Sequence, residues 1–128
     1  MQTEREEASL LGKTGEDLAA EYLKSKGYVI IKRNWRDSRY GEIDIVAENC
    51  EEILFIEVRT RKYGALVTGA ETVDIHKLSR IKNAAEMFMS RFNTSLPFRL
   101  DLIEITYYNN KSDRQDGKRF TLRHIKNI

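Results

Sequence analysis

A chain of 128 residues with 41% hydrophobic and 33% charged side chains is long enough to bury a core of its own, and no apolar run in it approaches the roughly 20 residues of a spanning helix, which excludes a membrane span. The net charge of +2 excludes a strongly basic nucleic-acid coat but leaves room for a local basic patch. A lone cysteine, Cys50, excludes an internal disulfide and points to the reducing cytoplasm.

Residues 1–8 are charged, lead into no signal-peptide core and read as a mobile leader to a single domain spanning 1–128. The spacing predicts a helix from about Ser9 to Lys26, with Leu11, Gly15, Leu18, Ala19, Tyr22 and Leu23 on one stripe. Gly27 supplies a stop. Tyr28–Ile31 reads as a strand, and Lys32–Arg39 as a basic, turn-like connection. Two strands follow, Gly41–Val46 and Ile53–Arg59, joined about Asn49–Glu52 as a hairpin. Arg59 to Ala70, with Gly64 and Gly69, reads as a mobile loop. A second helix runs from a cap at Thr72 or Asp74 to about Arg91, with Leu78, Ile81, Ala85, Phe88 and Phe92 inward. Phe98–Tyr108 is a strand parallel to Ile53–Arg59, because a helix connects the two. Phe120–Ile125 adds an edge strand.

The hairpin carries the chemistry. A tight turn sets Asp44 opposite Glu57 and Glu42 opposite Arg59. Strand side chains alternate faces, so these four share one, while Ile43, Ile45, Ile56 and Val58 fill the other. Three carboxylates against one cation repel each other, and a divalent ion is the natural offset because hard cations take carboxylate oxygens. Glu16, on the flank of the first helix's stripe, is positioned to join them. Magnesium or manganese so held would acidify a bound water and clamp a phosphoryl oxygen, the chemistry of phosphodiester hydrolysis. The plain alternative is a structural ion-pair network of Asp44 and Glu57 with Arg59 and Lys77. Glu42 serves equally well as a cross-strand partner of Arg59.

Asp44 across a hairpin from Glu57-Val58-Arg59 resembles the core motif of the PD-(D/E)XK nucleases. The wider order is more specific. Gly12 to Leu23, Gly27-Tyr28, Asn34-Trp35-Arg36, Gly41 to Ile45, Phe55 to Arg61, Lys77 and Arg99-Leu100-Asp101 resemble the YraN family, over roughly residues 10–106. The resemblance implies an α/β, restriction-endonuclease-like fold: a mixed central sheet flanked by helices, similar to Holliday junction resolvases. It implies metal-site roles for Glu16, Asp44 and Glu57, with Glu42 beside them and Lys77 as a helix-borne cation. The chain departs from the pattern at Arg59, where lysine is usual. Arginine stays protonated and is no general base, but it can orient water or hold a phosphate oxygen.

Arg33, Arg36, Arg61, Lys62 and Lys77 are the candidate contacts to nucleic acid, with DNA as the expected partner. Trp35, among the basic residues, reads as a core anchor. Cutting both strands of a duplex ordinarily needs two sites, which fits a homodimer. Two rival readings are a DNA-binding module that has lost cleavage and a small adaptor that binds a protein through its basic loop and second helix. His76, His124 and Cys50 show no ligand spacing and receive no role.

Overall fold

The structure, a computed structural model, describes residues 4–37, 39, 41–64, 75–92, 94–108 and 119–128, with side chains in the first helix from Gly15 onward. Its elements are α1 (Glu4–Ser25), β1 (Val29–Asp37), β2 (Gly41–Glu48), β3 (Ile53–Lys62), α2 (Ile75–Arg91), β4 (Phe98–Tyr107) and β5 (Phe120–Ile125). The strands form one mixed sheet in the order β1-β2-β3-β4-β5, with β3 and β4 parallel and the other neighbours antiparallel. Among the described residues no helix is long and apolar enough to cross a membrane.

Each helix covers one face of the sheet. Ala19, Ala20 and Leu23 of α1 pack on Ile45, Ala47, Leu54, Ile56, Ile103 and Ile105. Ile81, Ala84, Ala85 and Phe88 of α2 pack on Ile43, Val46, Ile53, Phe55 and Leu100. A sheet buried on both faces explains why the first part of β3, Ile53 to Ile56, is apolar at every position instead of alternating. Small residues on both helices let the backbones come close. At Gly15 the approach is closest: an added methyl would overlap Thr60 Oγ1 and lie 3.2 Å from Thr60 Cβ.

The β2–β3 hairpin has the expected register, running Ile45–Ile56, Val46–Phe55, Ala47–Leu54 and Glu48–Ile53. The turn fixes it without an Asn-Gly pair. Asn49 Oδ1 accepts the N–H groups of Glu51 and Glu52, each at 2.9 Å, and the Asn49 N–H donates to the Glu52 carbonyl at 3.1 Å. The parallel β3–β4 pairing and the β5 edge are as expected.

Several expectations change. Helix α1 begins at Glu4, ahead of Ser9. The basic stretch after Ile31 is strand, not turn: β1 continues to Asp37 and pairs with β2 as far as Gly41. Being an edge strand with a solvated side, it tolerates Lys32, Arg33 and Arg36, and its polarity mimics a loop. Strand β3 runs on through Arg59 to Lys62, held by β4 on one side. The remainder of that expected loop, and the caps Thr72 and Asp74, lie outside the described residues. Phe92, expected on the buried face of α2, is 47% exposed just past the helix end.

The main irregularity lies where β2 leaves β3. Ile43 packs against α2, yet Ile45 packs against α1, so strict alternation fails between them. Strand β1 does the same at the facing rung. Arg33 pairs with Ile45 and Trp35 with Ile43, which sets Asn34 opposite Asp44. Arg33 reaches α1, and Trp35 reaches Phe88 of α2, edge-on at 5.4 Å. Asn34 has φ +53°, a left-handed conformation that breaks the two-residue repeat. Ile43 therefore lies on the opposite face from the one expected of it.

Candidate metal-type carboxylate site

The β2–β3 ladder ends at Ile45–Ile56, one rung short of Asp44 and Glu57. Beyond that point β2 is held by β1, and a cavity of about 430 Å³ opens. Gly41, Glu42, Asp44, Glu57 and Val58 line it from the strands, and Lys77, Arg80 and Ile81 from α2. Three of the expected carboxylates and Lys77 are thus brought together.

Asp44 Oδ2 accepts the Val58 N–H at 2.8 Å, so the side chain takes over where the backbone ladder stops. Burial pushes its carboxyl up to about 6; the Val58 hydrogen bond opposes this, and the charges of Glu16, Glu57 and Glu42 add to it. Glu57 is 7% exposed. Its Oε1 is ion-paired with Lys77 Nζ, and its Oε2 is buried without a hydrogen-bond partner. An orphaned carboxylate oxygen beside a carboxylate that resists ionisation is an arrangement a cation would relieve.

Glu16 and Glu42 sit differently. With its amide set so that nitrogen faces the carboxylates, Asn34 Nδ2 donates to Glu42 Oε1 at 3.1 Å and to Glu16 Oε2 at 3.2 Å. Arg33 lies 3.7 Å from Glu16 and 2.8 Å from Asp17. Arg36 lies 3.1 Å from Glu42 and is its rung partner on β1. Glu42 is therefore not opposite Arg59, because β2 has already left β3 at that rung. Arg33 and Arg36 hold site carboxylates as well as lying on the surface. Arg59 is half-buried two residues beyond Glu57 on β3, and Arg61 and Lys62 continue toward that strand's end.

Among the described residues no group of three His, Cys, Asp and Glu side chains is gathered closely enough to hold a metal as placed. Magnesium ordinarily takes only one or two protein carboxylates and completes its octahedron with water and phosphate. Asp44 and Glu57 fit that requirement. Glu16 and Glu42 are tied to each other through Asn34. Two residues of the site escaped the reading of motifs as a site: Asn34, whose signal was an asparagine inside a strand-length polar run, and Arg80, one helical turn from Lys77.

The model of "Uncharacterised protein family UPF0102" matches residues 15–105. Proteins called UPF0102 protein are similar to the chain across most of their own length. The Bacteroides thetaiotaomicron protein is 40% identical over 95 residues, 74% of this chain and 78% of that one. The Syntrophomonas wolfei protein is 39% identical over 105 residues, 80% and 89%. The Thermotoga maritima protein is 38% identical over 94 residues, 73% and 84%. The matched span includes Glu16, Asn34, Glu42, Asp44, Glu57 and Lys77, and the chain belongs to the UPF0102 family, the YraN-like group that its motifs resemble.

Proposed function

We propose that this protein is a metal-dependent endonuclease of restriction-endonuclease-like fold that hydrolyses phosphodiester bonds in DNA. The observation that carries the reading is the splayed rung at Asp44 and Glu57. There one carboxyl is pushed up to about 6 and the other keeps a buried, unpartnered oxygen. Asp44 and Glu57 would hold magnesium or manganese, which acidifies a bound water and neutralises phosphoryl charge. Lys77 brings to Glu57 the ammonium that nucleases of this type carry two residues further along the strand. Arg59 then need not act as a base; its guanidinium suits a phosphate oxygen. Arg80 beside Lys77, with Arg36 at the rim, supplies positive charge for the backbone of the substrate.

The test is cleavage of linear, flapped and four-way DNAs with manganese or magnesium. Wild type should cut at least one of them, and Asp44→Ala and Glu57→Ala should each lower the rate by about a hundredfold or more. The presence of Arg59 where lysine is usual favours a second reading, a DNA-binding module without cleavage. Salt-dependent DNA binding with no cutting by wild type, and cutting by Arg59→Lys, would select it. Neither binding nor cutting by any form would refute both.

A further inference from the structure

A second cavity, of about 310 Å³, lies at the C-terminal end of α1 and is lined by Tyr22, Lys26, Tyr28, His124 and Lys126. It is separate from the carboxylate site: along α1 the helical rise sets Tyr22 about 9 Å beyond Glu16, and Lys26 follows the helix end at Ser25. A buried polar framework stands behind it. Asp101 is 1% exposed. It accepts Arg99 Nε at 2.8 Å, Arg99 Nη2 at 2.9 Å, the Asn127 N–H at 2.9 Å and His124 Nε2 at 2.7 Å. Burial alone would raise its carboxyl, but these donors hold it below the usual carboxylate range, so it is an anion. His124 is thereby oriented with Nε2 toward Asp101 and Nδ1 toward the Tyr22 hydroxyl, 3.0 Å away. The Tyr22 and His124 rings meet edge-on at 5.5 Å, and Lys26 Nζ sits 5.8 Å from the Tyr22 ring centroid.

Anchoring β5 to α1 accounts for Asp101 and His124. It does not account for two lysines, one after α1 and one after β5, converging on a cavity. Among the described residues its lining comprises two lysines, two tyrosines and a histidine, with the Tyr28 hydroxyl turned to Glu52 Oε1 at 3.3 Å. Like charges brought together in this way favour an anion between them, and the Tyr22 hydroxyl, fixed from behind by His124, adds a directed contact. The volume is at the low end for small-molecule sites, enough for a phosphoryl group on a small body. We propose that this cavity binds a phosphate monoester dianion, with Lys26 and Lys126 as its charge partners and Tyr22, positioned by His124, as its hydroxyl contact. The shared chemistry is a terminal phosphate, carried by a free compound or by a 5′ end of a nucleic-acid strand. The proposal does not depend on metal binding at Asp44 and Glu57.

Amide chemical shifts of the full chain, titrated with inorganic phosphate against chloride at matched ionic strength, test the site. Anisotropy with one oligonucleotide in 5′-phosphorylated and 5′-hydroxyl forms tests the source. Phosphate should give saturable shifts around Tyr22, Tyr28 and His124. The Lys26→Ala/Lys126→Ala double variant, which alters only exposed side chains, should weaken this binding about tenfold or more. Tyr22→Phe should weaken it severalfold. A preference for the phosphorylated oligonucleotide that vanishes in the double variant would assign the site to strand ends. Phosphate binding without that preference would assign it to a free monoester. Equal shifts with chloride, wild-type affinity in the double variant, or loss of phosphate binding in Asp44→Asn would each overturn the proposal.

Discussion

Lys77 of α2 reaches across the cleft and pairs with Glu57 of β3, while Arg59, the motif's own cation, lies further along the strand. The ion pair at Glu57 Oε1 thus joins β3 to the helix on the opposite wall of the cleft. Asp37 helps to fix α2 in place: it is buried at the end of β1 and accepts Arg91 Nη2 at 2.9 Å.

This relationship makes Lys77→Ala more damaging than a surface change. Glu57 would keep a buried charge whose Oε1 has lost its Lys77 partner, at a cost of roughly 1–3 kcal/mol. Urea unfolding should show that loss, and DNA cleavage should fall with it. Full activity in Lys77→Ala alongside an inactive Arg59→Ala would return the cation's role to Arg59.

Asp44 opposes folding at neutral pH. Its carboxyl is at about 6 in the folded chain against 3.8 for the ordinary group, so between those values the native state holds the extra proton. Stability then falls as pH rises through that window, and the penalty is complete above about pH 6. Asp44→Asn keeps an oxygen for the Val58 N–H, so it should stabilise the protein at pH 7.5 by roughly 1–3 kcal/mol. The gain should fade as pH falls toward about 4. Denaturant melts at the two pH values measure both. A variant less stable than wild type at pH 7.5 would contradict the assignment.

Gly15→Ala would ordinarily strengthen a helix by about 0.5–1 kcal/mol. Here the methyl would overlap Thr60 Oγ1, a buried hydroxyl that has no partner of its own. The expected net result is destabilisation of about 1–3 kcal/mol. Thr60→Ala should rescue it, because the clash is with that side chain. A double-mutant cycle by thermal melts should give a coupling of at least about 0.5 kcal/mol, and additive effects would refute the contact.

Asn34 joins a strained backbone to a site contact, and two substitutions separate these. Asn34→Gly keeps access to φ +53° but removes the amide between Glu16 and Glu42. It should fold as well as wild type to within about 1 kcal/mol, yet bind manganese more weakly. Asn34→Val should also lose roughly 1–2 kcal/mol of stability, since a branched side chain disfavours the left-handed region. Manganese titration by calorimetry and unfolding curves provide the two readouts. Unchanged metal affinity in Asn34→Gly would remove Asn34 from the site.

The elements that were legible in sequence were those whose pattern has a local cause. Leu18, Ala19 and Leu23 mark the buried stripe of α1, and Ile81, Ala85 and Phe88 that of α2. The hairpin register was legible because only one pairing buries Val46 with Phe55 on one face and Ile45 with Ile56 on the other. The extent of β1 was not, because polar edge strands and loops share a composition. The face taken by Ile43 was hidden too, since a single left-handed residue on the neighbouring strand inverts the alternation.

The sequence by itself determined the order of helices and strands and the hairpin register from Ile45–Ile56 to Glu48–Ile53, which leaves Asp44 and Glu57 at the same end of the hairpin, because these follow from short-range periodicity and turn geometry. Only the tertiary structure decided which cation meets Glu57, which residues hold Glu16 and Glu42, and that Lys26 and Lys126 share a cavity with His124. Those contacts join side chains far apart in the chain, and their choice depends on how the helices lie on the sheet, which no local pattern encodes.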